Sequence, residues 1–600
     1  MSAALNSLVN IFIIMPNLRI AVIDRTKCRP DKCDKPCIRF CPRVRTGDET
    51  VFEKEGKVYI AEELCVGCGI CTKKCPKDAI TIINLERELP EPIHQYGKNA
   101  FRLYGLPIPQ KGNVVGLLGA NGIGKTTALH ILSGSLVPNL GDFKNGATWE
   151  QIIARFKGNE LMNYLKDLRD KKIRAVYKPQ QVDKIPQALK GKAGALIKDE
   201  RGVFKKLAAD LEIDTILDRD VAKLSGGELQ RLAIAAALCR DADFYYFDEP
   251  SSFLDIRHRL IVARAIGELA ENEKKAVLVV EHDLATLDYL ADIIHIVYGQ
   301  AGAYGVISPA YVSLRGINTF LDGYIREENI RFRDEPLSFK GGEKIYSAKY
   351  AMLQYPDFKK KFTGFGLDVA AGSFKAGEIV GVLGANALGK TTFAKILAGE
   401  ITPDNVDFGT PTKIAYKPQY LKSDFPGTVS ELLRKSVKKF GSQEFKIEVI
   451  RPLGIDRLLE NNVQNLSGGE LQRVAIAICL GQDVEFYLLD EPSAYLDAEE
   501  RIKFAKTMRR FIETNQKACM LIDHDMLLLH YVSDAAIVFS GTPSKQGNAG
   551  APVGLKGGMN AFLKEMDVTF RRDDETGRPR ANKHGSQKDM KQKEDGVYYA

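Results

Sequence analysis

Gly119-Ala-Asn121-Gly122-Ile-Gly124-Lys125-Thr126-Thr127 decides the fold because it occurs twice, returning 265 residues later as Gly384-Ala-Asn386-Ala387-Leu-Gly389-Lys390-Thr391-Thr392. The spacing G-x-x-x-x-G-K-[ST] turns backbone N–H groups towards phosphate oxygens at a helix N-terminus, with the lysine on the outer phosphates and the threonine hydroxyl on Mg²⁺. Each copy follows a short apolar run, Val114 to Leu118 and Ile379 to Leu383. Further along, Leu224-Ser225-Gly226-Gly227-Glu228-Leu229-Gln230-Arg231 returns unchanged from Leu466 to Arg473, Asp248-Glu249-Pro250 returns as Asp490-Glu491-Pro492, and His282 as His524. The offset from Ser225 onward is constant at 242 residues, so one domain has been duplicated. Runs such as Phe244 to Phe247 and Ala276 to Val280 suit strands buried on both faces and alternating with helices, which predicts an α/β sheet in each copy.

The two offsets differ because the first copy is longer. Lys125 to Gln180 spans 55 residues, whereas Lys390 to Gln419 spans 29, so about 26 residues are inserted, within Asp142 to Arg174. Ile152, Ile153, Phe156, Leu161, Tyr164, Leu165 and Leu168 predict two short amphipathic helices around Gly158-Asn159, either packed on their own domain or used for docking. Ala387 in place of Gly122 stiffens the second loop and predicts that the two sites differ in kinetics.

Six hundred residues at about 150 per domain give roughly four units. No apolar run reaches the ~20 residues of a membrane span, which excludes a membrane-embedded transporter. The apolar opening Ala3 to Ile14 lacks a basic flank and a cleavage site, so the chain is expected to be cytoplasmic; a start at Met15 would make that opening dispensable. The net charge of +8 is small beside 85 basic and 77 acidic residues, so attraction to nucleic acid must come from local patches. The stretch from Arg571 to Ala600 is polar and charged, and its distal part is expected to be disordered.

Apolar strands leading into Asp248-Glu249 and Asp490-Glu491 place an aspartate in a metal shell and a glutamate where it polarises attacking water. The serine and two glycines that open the helices at Ser225 and Ser467 offer a second anion site at a helix N-terminus. Together these motifs resemble ATP-binding cassette domains. The resemblance implies that Ser225 and Gly227, and Ser467 and Gly469, clamp the γ-phosphate held by the opposite cassette. It also implies that Gln180 and Gln419, in Lys-Pro-Gln triplets, touch Mg²⁺ and water alongside Thr126 and Thr391. Asp255 and Asp497 then form the D loops, and His282 and His524 hold the γ-phosphate.

Eight of the eleven cysteines lie between Cys28 and Cys75 in a chain without an export signal, which points to a cofactor rather than to disulfides. Cys65-x2-Cys68-x2-Cys71-x3-Cys75-Pro has the bacterial ferredoxin spacing for a [4Fe-4S] cluster, and Cys28-x4-Cys33-x3-Cys37-x3-Cys41-Pro keeps its closing Cys-Pro. Crossed ligation predicts Cys28, Cys33, Cys37 and Cys75 on one cluster and Cys65, Cys68, Cys71 and Cys41 on the other. Zinc is the alternative, but it usually takes paired C-x2-C hooks. A structural role for the clusters is at least as consistent as a redox one, and the basic excess from Arg25 to Arg45 could meet RNA phosphates.

Two clusters before two LSGGELQR cassettes resemble the ribosome-recycling ATPases of ABC subfamily E, the RNase L inhibitor family. That resemblance implies a ferredoxin-like domain at 1–90, a first cassette at 91–313 with a helix-loop-helix insert at about 142–174, a hinge at 314–340, a second cassette at 341–555, and a second hinge with a charged tail at 556–600. Tyr96 and Phe101, and Tyr355 and Phe365, fall where the family stacks adenine, with a core role for the two phenylalanines left open. The implied activity is Mg²⁺-dependent ATP hydrolysis to ADP and phosphate by a monomer with paired cassettes. Its partners would be the ribosome, the small subunit in particular, and a release factor or Pelota-type rescue factor. Two rivals remain: an iron–sulfur redox enzyme driven by ATP, and a nucleic-acid maintenance ATPase of the cassette superfamily, the latter disfavoured by the absence of a long coiled coil.

Overall fold

Val114–Leu118 is buried along its whole length in a computed structural model that describes residues 19–84, 91–333, 335–337, 350–406, 413–419 and 424–600. The opening segment and the alternative start at Met15 lie outside the described residues. The strand lies inside a sheet ordered His94–Gln95, Arg102–Tyr104, Tyr304–Val312, Ile293–Gln300, Val114–Leu118, Ala276–Val280, Phe244–Asp248, Ala175–Lys178. The strands from Ile293–Gln300 to Ala175–Lys178 run parallel. Both Phe244–Asp248 and Ala276–Val280 are buried throughout, as runs of apolar residues between helix layers must be. The second copy repeats this order from Phe358–Phe362 through Ile379–Leu383 to Ile414–Lys417.

The insert forms the two expected helices, Trp149–Arg155 and Leu161–Arg169. Thr148 caps the first in a capping box with Gln151. Ile152, Phe156, Leu161, Tyr164 and Leu165 sink into the first cassette's core, and the Tyr164 and Tyr246 hydroxyls meet at 2.5 Å. The insert is therefore packed on its own domain.

The cysteine region pairs Arg19–Ile23 with Ile80–Asn84 and Val51–Lys54 with Lys57–Ile60, with short helices Pro36–Arg39, Pro42–Arg45 and Ile70–Lys74 between them. It is joined to the first cassette through Asn99, which is 1% exposed. The Asn99 side chain accepts from Ile60 N at 3.0 Å and donates to Ile60 O at 3.1 Å, while its carbonyl accepts from Ile23 N at 3.0 Å. Glu62 completes the joint by accepting from Arg102 at 2.7 Å. Asn99 lies in the turn between Tyr96 and Phe101, so the cysteine region rests on the segment that carries both rings.

The charged C-terminal stretch is folded, contrary to the disorder expected from its composition. Phe570–Arg572 pairs with Pro579–Ala581, and Ser586 caps the helix Gln587–Glu594. Phe570 and Tyr599 enter an apolar core that runs across both cassettes. Arg578, fully buried, donates to Asp288 at 2.8 Å, and Arg580 donates to the same carboxylate at 2.6 Å. Local composition reads these charges as solvated, but their partner lies some 290 residues earlier.

Candidate nucleotide sites and cysteine centre

In each cassette the glycine loop ends in a left-handed residue, Gly124 at φ 95° or Gly389 at φ 92°, that opens the helix Lys125–Leu132 or Lys390–Leu397. Only glycine suits position 124, since an added Cβ would lie 2.7 Å from the Phe101 ring. Lys125 Nζ donates to the Gly119 and Ala120 carbonyls at 2.9 and 2.5 Å, and Lys390 Nζ to those of Gly384 and Ala385 at 2.6 and 3.0 Å. Burial pulls both lysine pKa values down, while neighbouring carboxylates work in the opposite direction. These ammonium groups fold back onto their own loops, beside the N–H groups of the helix start.

Thr126 donates to Asp248 and Thr391 to Asp490, both at 2.8 Å. The other oxygen of each aspartate, Oδ1, is buried without a hydrogen-bond partner. Burial raises the Asp248 pKa and pushes Asp490 up to about 6, with Thr391 offsetting part of that rise. A threonine hydroxyl beside an orphaned carboxylate oxygen fits the hard oxygen shell of Mg²⁺.

The neighbouring glutamates stay ionised. Burial opposes the charge on Glu249, but His282, Ser252 and Lys125 outweigh it and hold the carboxyl at about 2. Glu491 is likewise held at about 2, with His524, Lys390 and Gln419 overcoming burial. Gln180 donates to Glu249 at 2.6 Å and Gln419 to Glu491 at 2.7 Å. His282 Nε2 lies 3.4 Å from Glu249 and His524 Nε2 3.6 Å from Glu491.

The two copies meet head to tail. Asp497 accepts from Asn121 N at 2.9 Å and Asp255 from Asn386 N at 2.7 Å, so each D-loop aspartate reaches the other cassette's glycine loop. Ser225 and Ser467 cap the signature helices Gly226–Leu238 and Gly468–Leu480 in capping boxes with Glu228 and Glu470, and both serines are exposed. Gly227 and Gly469 stand beneath the Phe253 and Tyr495 carbonyls, where an added Cβ would lie 3.0 and 2.9 Å from the carbonyl oxygen.

Around the first loop a cavity of about 320 Å³ is lined by Tyr96, Phe101, Lys125, Gln180, Asp248 and Glu249 among others. Neither Ser467 nor Gly469 is in its wall. The structure thus joins the cassettes at their D loops. Gly302, which was not foreseen, is in the wall; its N–H donates to Gly122 O at 2.9 Å. The Tyr96 hydroxyl lies 3.2 Å from Thr127 Oγ1.

Tyr355 is a correction. It is 3% exposed and packed among Phe358, Phe374 and Phe393, so it belongs to the core and cannot stack on a base. The exposed aromatic beside Phe365 is Phe362, with stacked rings 6.4 Å apart, matching the Tyr96–Phe101 separation. Phe101 and Phe365 each press against a loop glycine, Gly124 or Gly389, so they also support the loop from below. Four further residues escaped the sequence reading: Lys178, Lys417, Gln230 and Gln472, all buried against the Asp-Glu pairs.

The eight cysteines from Cys28 to Cys75 form no disulfides and neighbour one another in the two crossed sets. Burial, then Cys75, Cys28 and Cys33, push Cys37 up to about 11. Burial, then Cys65, Cys68 and Cys41, push Cys71 up to about 12. Gly67 N–H points to Cys65 Sγ at 3.4 Å and Ala79 N–H to Cys75 Sγ at 3.3 Å, which favours thiolates. Among the described residues no three ligating side chains converge as a single metal ion requires. Two sets of four thiols backed by N–H donors fit iron–sulfur clusters.

Comparison with known proteins agrees with this arrangement. The ABC transporter family profile matches residues 109–252 and 367–494. A possible Fer4-like domain in RNase L inhibitor, RLI, matches 18–49, and a 4Fe-4S binding domain matches 58–81. The chain is 46% identical over 600 residues to translation initiation factor RLI1 of Saccharomyces cerevisiae, covering 97% of this chain and 98% of the relative. It is 44% identical over 594 residues to ABC transporter E family member 1 of Arabidopsis thaliana, covering 97% and 98%. Among solved structures it resembles the archaeal ribosome recycling factor aABCE1 in complex with the archaeal ribosomal stalk protein aP1, at 51% identity and a TM-score of 0.81, over 85% of this chain and 99% of that one. A model of ribosome-bound archaeal Pelota and ABCE1 matches at 50% identity and a TM-score of 0.91, over 97% and 99%. Among the described residues no helix is long and apolar enough to cross a membrane. The chain is an ATP-binding ATPase with an iron–sulfur domain, and it belongs to the RNase L inhibitor family, subfamily E of the ATP-binding cassette proteins.

Proposed function

We propose that the chain is a cytoplasmic ribosome-recycling factor that splits ribosomes into subunits after termination or stalling, alongside a release factor or a Pelota-type partner. The observation that carries this reading is the placement of the cysteine region on the turn between Tyr96 and Phe101, where a change in the first nucleotide site is passed to the domain that would act as a wedge. The domain division is taken as 1–90, 91–313, 314–340, 341–555 and 556–600, with the insert, the hinges and the basic cluster region meeting ribosomal RNA.

Each site would use parts of both cassettes. Lys125 and the N–H groups of 122–127 hold one nucleotide's phosphates, and Ser467 and Gly469 close on them; Lys390 is paired with Ser225 and Gly227 in the same way. Lys125 leaves its own loop carbonyls for phosphate oxygens, exchanging one set of acceptors for a charged one. Tyr96 and Phe101, and Phe362 and Phe365, offer aromatic faces to the base. Thr126, Gln180 and Asp248, and Thr391, Gln419 and Asp490, would hold Mg²⁺, which neutralises phosphate charge when bound. Glu249 and Glu491, ionised throughout the physiological range, orient and polarise water, and His282 and His524 face the outermost phosphate. Two [4Fe-4S] clusters on the crossed cysteine sets would tie together a domain with little core of its own.

Sedimentation of ribosomes on sucrose gradients with this protein, ATP and the rescue factor tests the reading. Wild type should convert 70S- or 80S-type particles to subunits. The Glu249→Gln plus Glu491→Gln variant should bind and stay on the small subunit without turning over ATP. Absence of splitting under every condition would overturn the proposal.

A further inference from the structure

The peptide after each Asp-Glu pair is held in an unusual way. Glu249 and Glu491 both have φ 47°, a left-handed backbone that side chains other than glycine rarely adopt. Such a conformation persists only where its surroundings fix it. The Glu249 carbonyl accepts from Gln230 Nε2 at 2.7 Å and from Lys178 Nζ at 3.3 Å, and the same ammonium reaches Asp248 O at 3.0 Å. In the second cassette Gln472 donates to Glu491 O at 2.7 Å, while Lys417 reaches Glu491 O at 3.2 Å and Asp490 O at 2.8 Å.

All four side chains are at most 2% exposed. Gln230 Oε1 has no hydrogen-bond partner among the described residues, so this buried amide is engaged through its donor end. A lysine and a glutamine buried in this way pay a desolvation penalty, which the carbonyls of the Asp-Glu pair offset. The duplicated geometry, in two cassettes whose surroundings differ, argues against accidental packing. Gln230 stands in the second turn of the helix capped by Ser225, and Gln472 in that capped by Ser467.

We propose that Lys178 with Gln230, and Lys417 with Gln472, are positioning residues that fix the backbone of the catalytic glutamate. Through the two glutamines, the signature helix that serves one nucleotide also holds the glutamate that hydrolyses the other. The inference rests on the composite-site reading above: Ser225 serves the nucleotide on Lys390, yet Gln230 grips Glu249 in the site of Lys125. A shift of either signature helix on closure therefore moves the carbonyl of the opposite site's glutamate, and turnover at one site is sensitive to occupancy of the other.

The test uses the full-length, cluster-loaded protein in a Glu491→Gln background, where only Glu249 turns over ATP. Lys178→Met and Gln230→Met remove the donors while keeping the bulk. Each should lower kcat by on the order of 10²-fold, the cost of a misplaced catalytic group. ATP affinity should change by less than about 2-fold, because the loss falls on the transition state. Gln472→Met in the same background should cost at least about ten times less than Gln230→Met. Equal losses from the two glutamines would mean that they merely anchor signature helices, and would overturn the proposal, as would an unchanged kcat for Lys178→Met and Gln230→Met. Lys178→Gln and Gln230→Glu serve if the methionine variants do not fold: the first keeps a neutral donor and should retain more activity than the second, which keeps none, and the reverse order counts against the proposal. In the same background Ser467→Arg, which blocks the signature end expected at the Lys125 site, should abolish turnover by Glu249; if it does not, the composite-site reading has failed. If it does while Lys178→Met and Gln230→Met turn over normally, only the present inference has failed.

Discussion

The two cassettes carry the same chemistry in different surroundings. Both close a threonine on an aspartate at 2.8 Å, both set a glutamine on a glutamate, and both receive a D-loop aspartate from the other copy. Around those shared parts, the first cassette alone bears the cysteine region on Asn99 and the helical insert behind Tyr164. The C-terminal segment treats them differently as well. It grips the helix after His282 through the buried Arg578–Asp288 pair, and the helix after His524 through a hydrogen bond between Tyr599 and His530. Duplication has kept these shared nucleotide contacts and placed the attachments unequally, which is how two similar sites can produce a one-sided movement.

The strongest way to break the comparison is at the C-terminal anchor. Asp288→Ala strands the buried Arg578 charge, at a cost of about 3–5 kcal/mol. His530→Ala, on the second cassette's side, removes a single hydrogen bond to Tyr599 and should cost about 1 kcal/mol. Chemical denaturation of the two variants measures the difference, and equal losses would show that the buried ion pair is no stronger an anchor than the hydrogen bond.

The next difference lies at the glutamates. Ser252 Oγ donates to the Glu249 carboxylate at 2.9 Å, whereas Ala494 stands at the corresponding place in the second cassette. A hydrogen bond to a charged group contributes about 1.5–3 kcal/mol. Ser252→Ala should therefore change turnover at the first site several-fold, and Ala494→Ser should shift the second site towards the first; single-site backgrounds read each effect. The pH dependence has a definite sign. Glu249, held at about 2 against an unfolded value of about 4.3, contributes stability that is present above pH 4.3 and lost as pH falls through 2. Removing the Ser252 donor raises the folded value and moves that acid limb upward.

Much of this was legible in the sequence, and what was not has a common cause. The glycine loops, the signature runs and the cysteine spacing are local, and the structure sets each glycine loop and each signature serine at a helix start. The insert declared itself through its periodicity and lies where Ile152 and Leu165 predicted. Lys178 and Gln230 stood in plain view inside the repeated Lys-Pro-Gln and LSGGELQR runs, but their meaning lies in contact with one carbonyl many residues away. Repetition of the whole triplet, rather than of its glutamine alone, was the signal available. Tyr355 misled because an aromatic ahead of a glycine loop can belong to either of two neighbouring strands, and only sheet pairing shows that the turn after Phe358–Phe362 matches the Tyr96 turn. The tail misled because Arg578 is neutralised by a residue of the first cassette.

The finest test of the comparison is a single methyl group. Gly122 and Ala387 occupy equivalent loop positions at φ 73° and 60°, and each carbonyl accepts one backbone N–H at 2.9 Å, from Gly302 or Ser544. Alanine in that region costs roughly 1–2 kcal/mol relative to a right-handed residue, while glycine costs a comparable amount in lost chain entropy on folding. The two terms nearly cancel, so Ala387→Gly should alter stability by less than about 1 kcal/mol. Gly122→Ala should be tolerated as well, since its Cβ would meet Ala301 and Gly302 at an ordinary 3.5 Å. What changes is the freedom of the loop to follow the phosphates during closure. Reciprocal exchange should therefore move the two single-site turnover rates in opposite directions by a few-fold, with melting temperatures almost unchanged. Rates that ignore the exchange would remove the loops from the list of differences between the cassettes and leave the asymmetry to Ser252, the insert and the cysteine region.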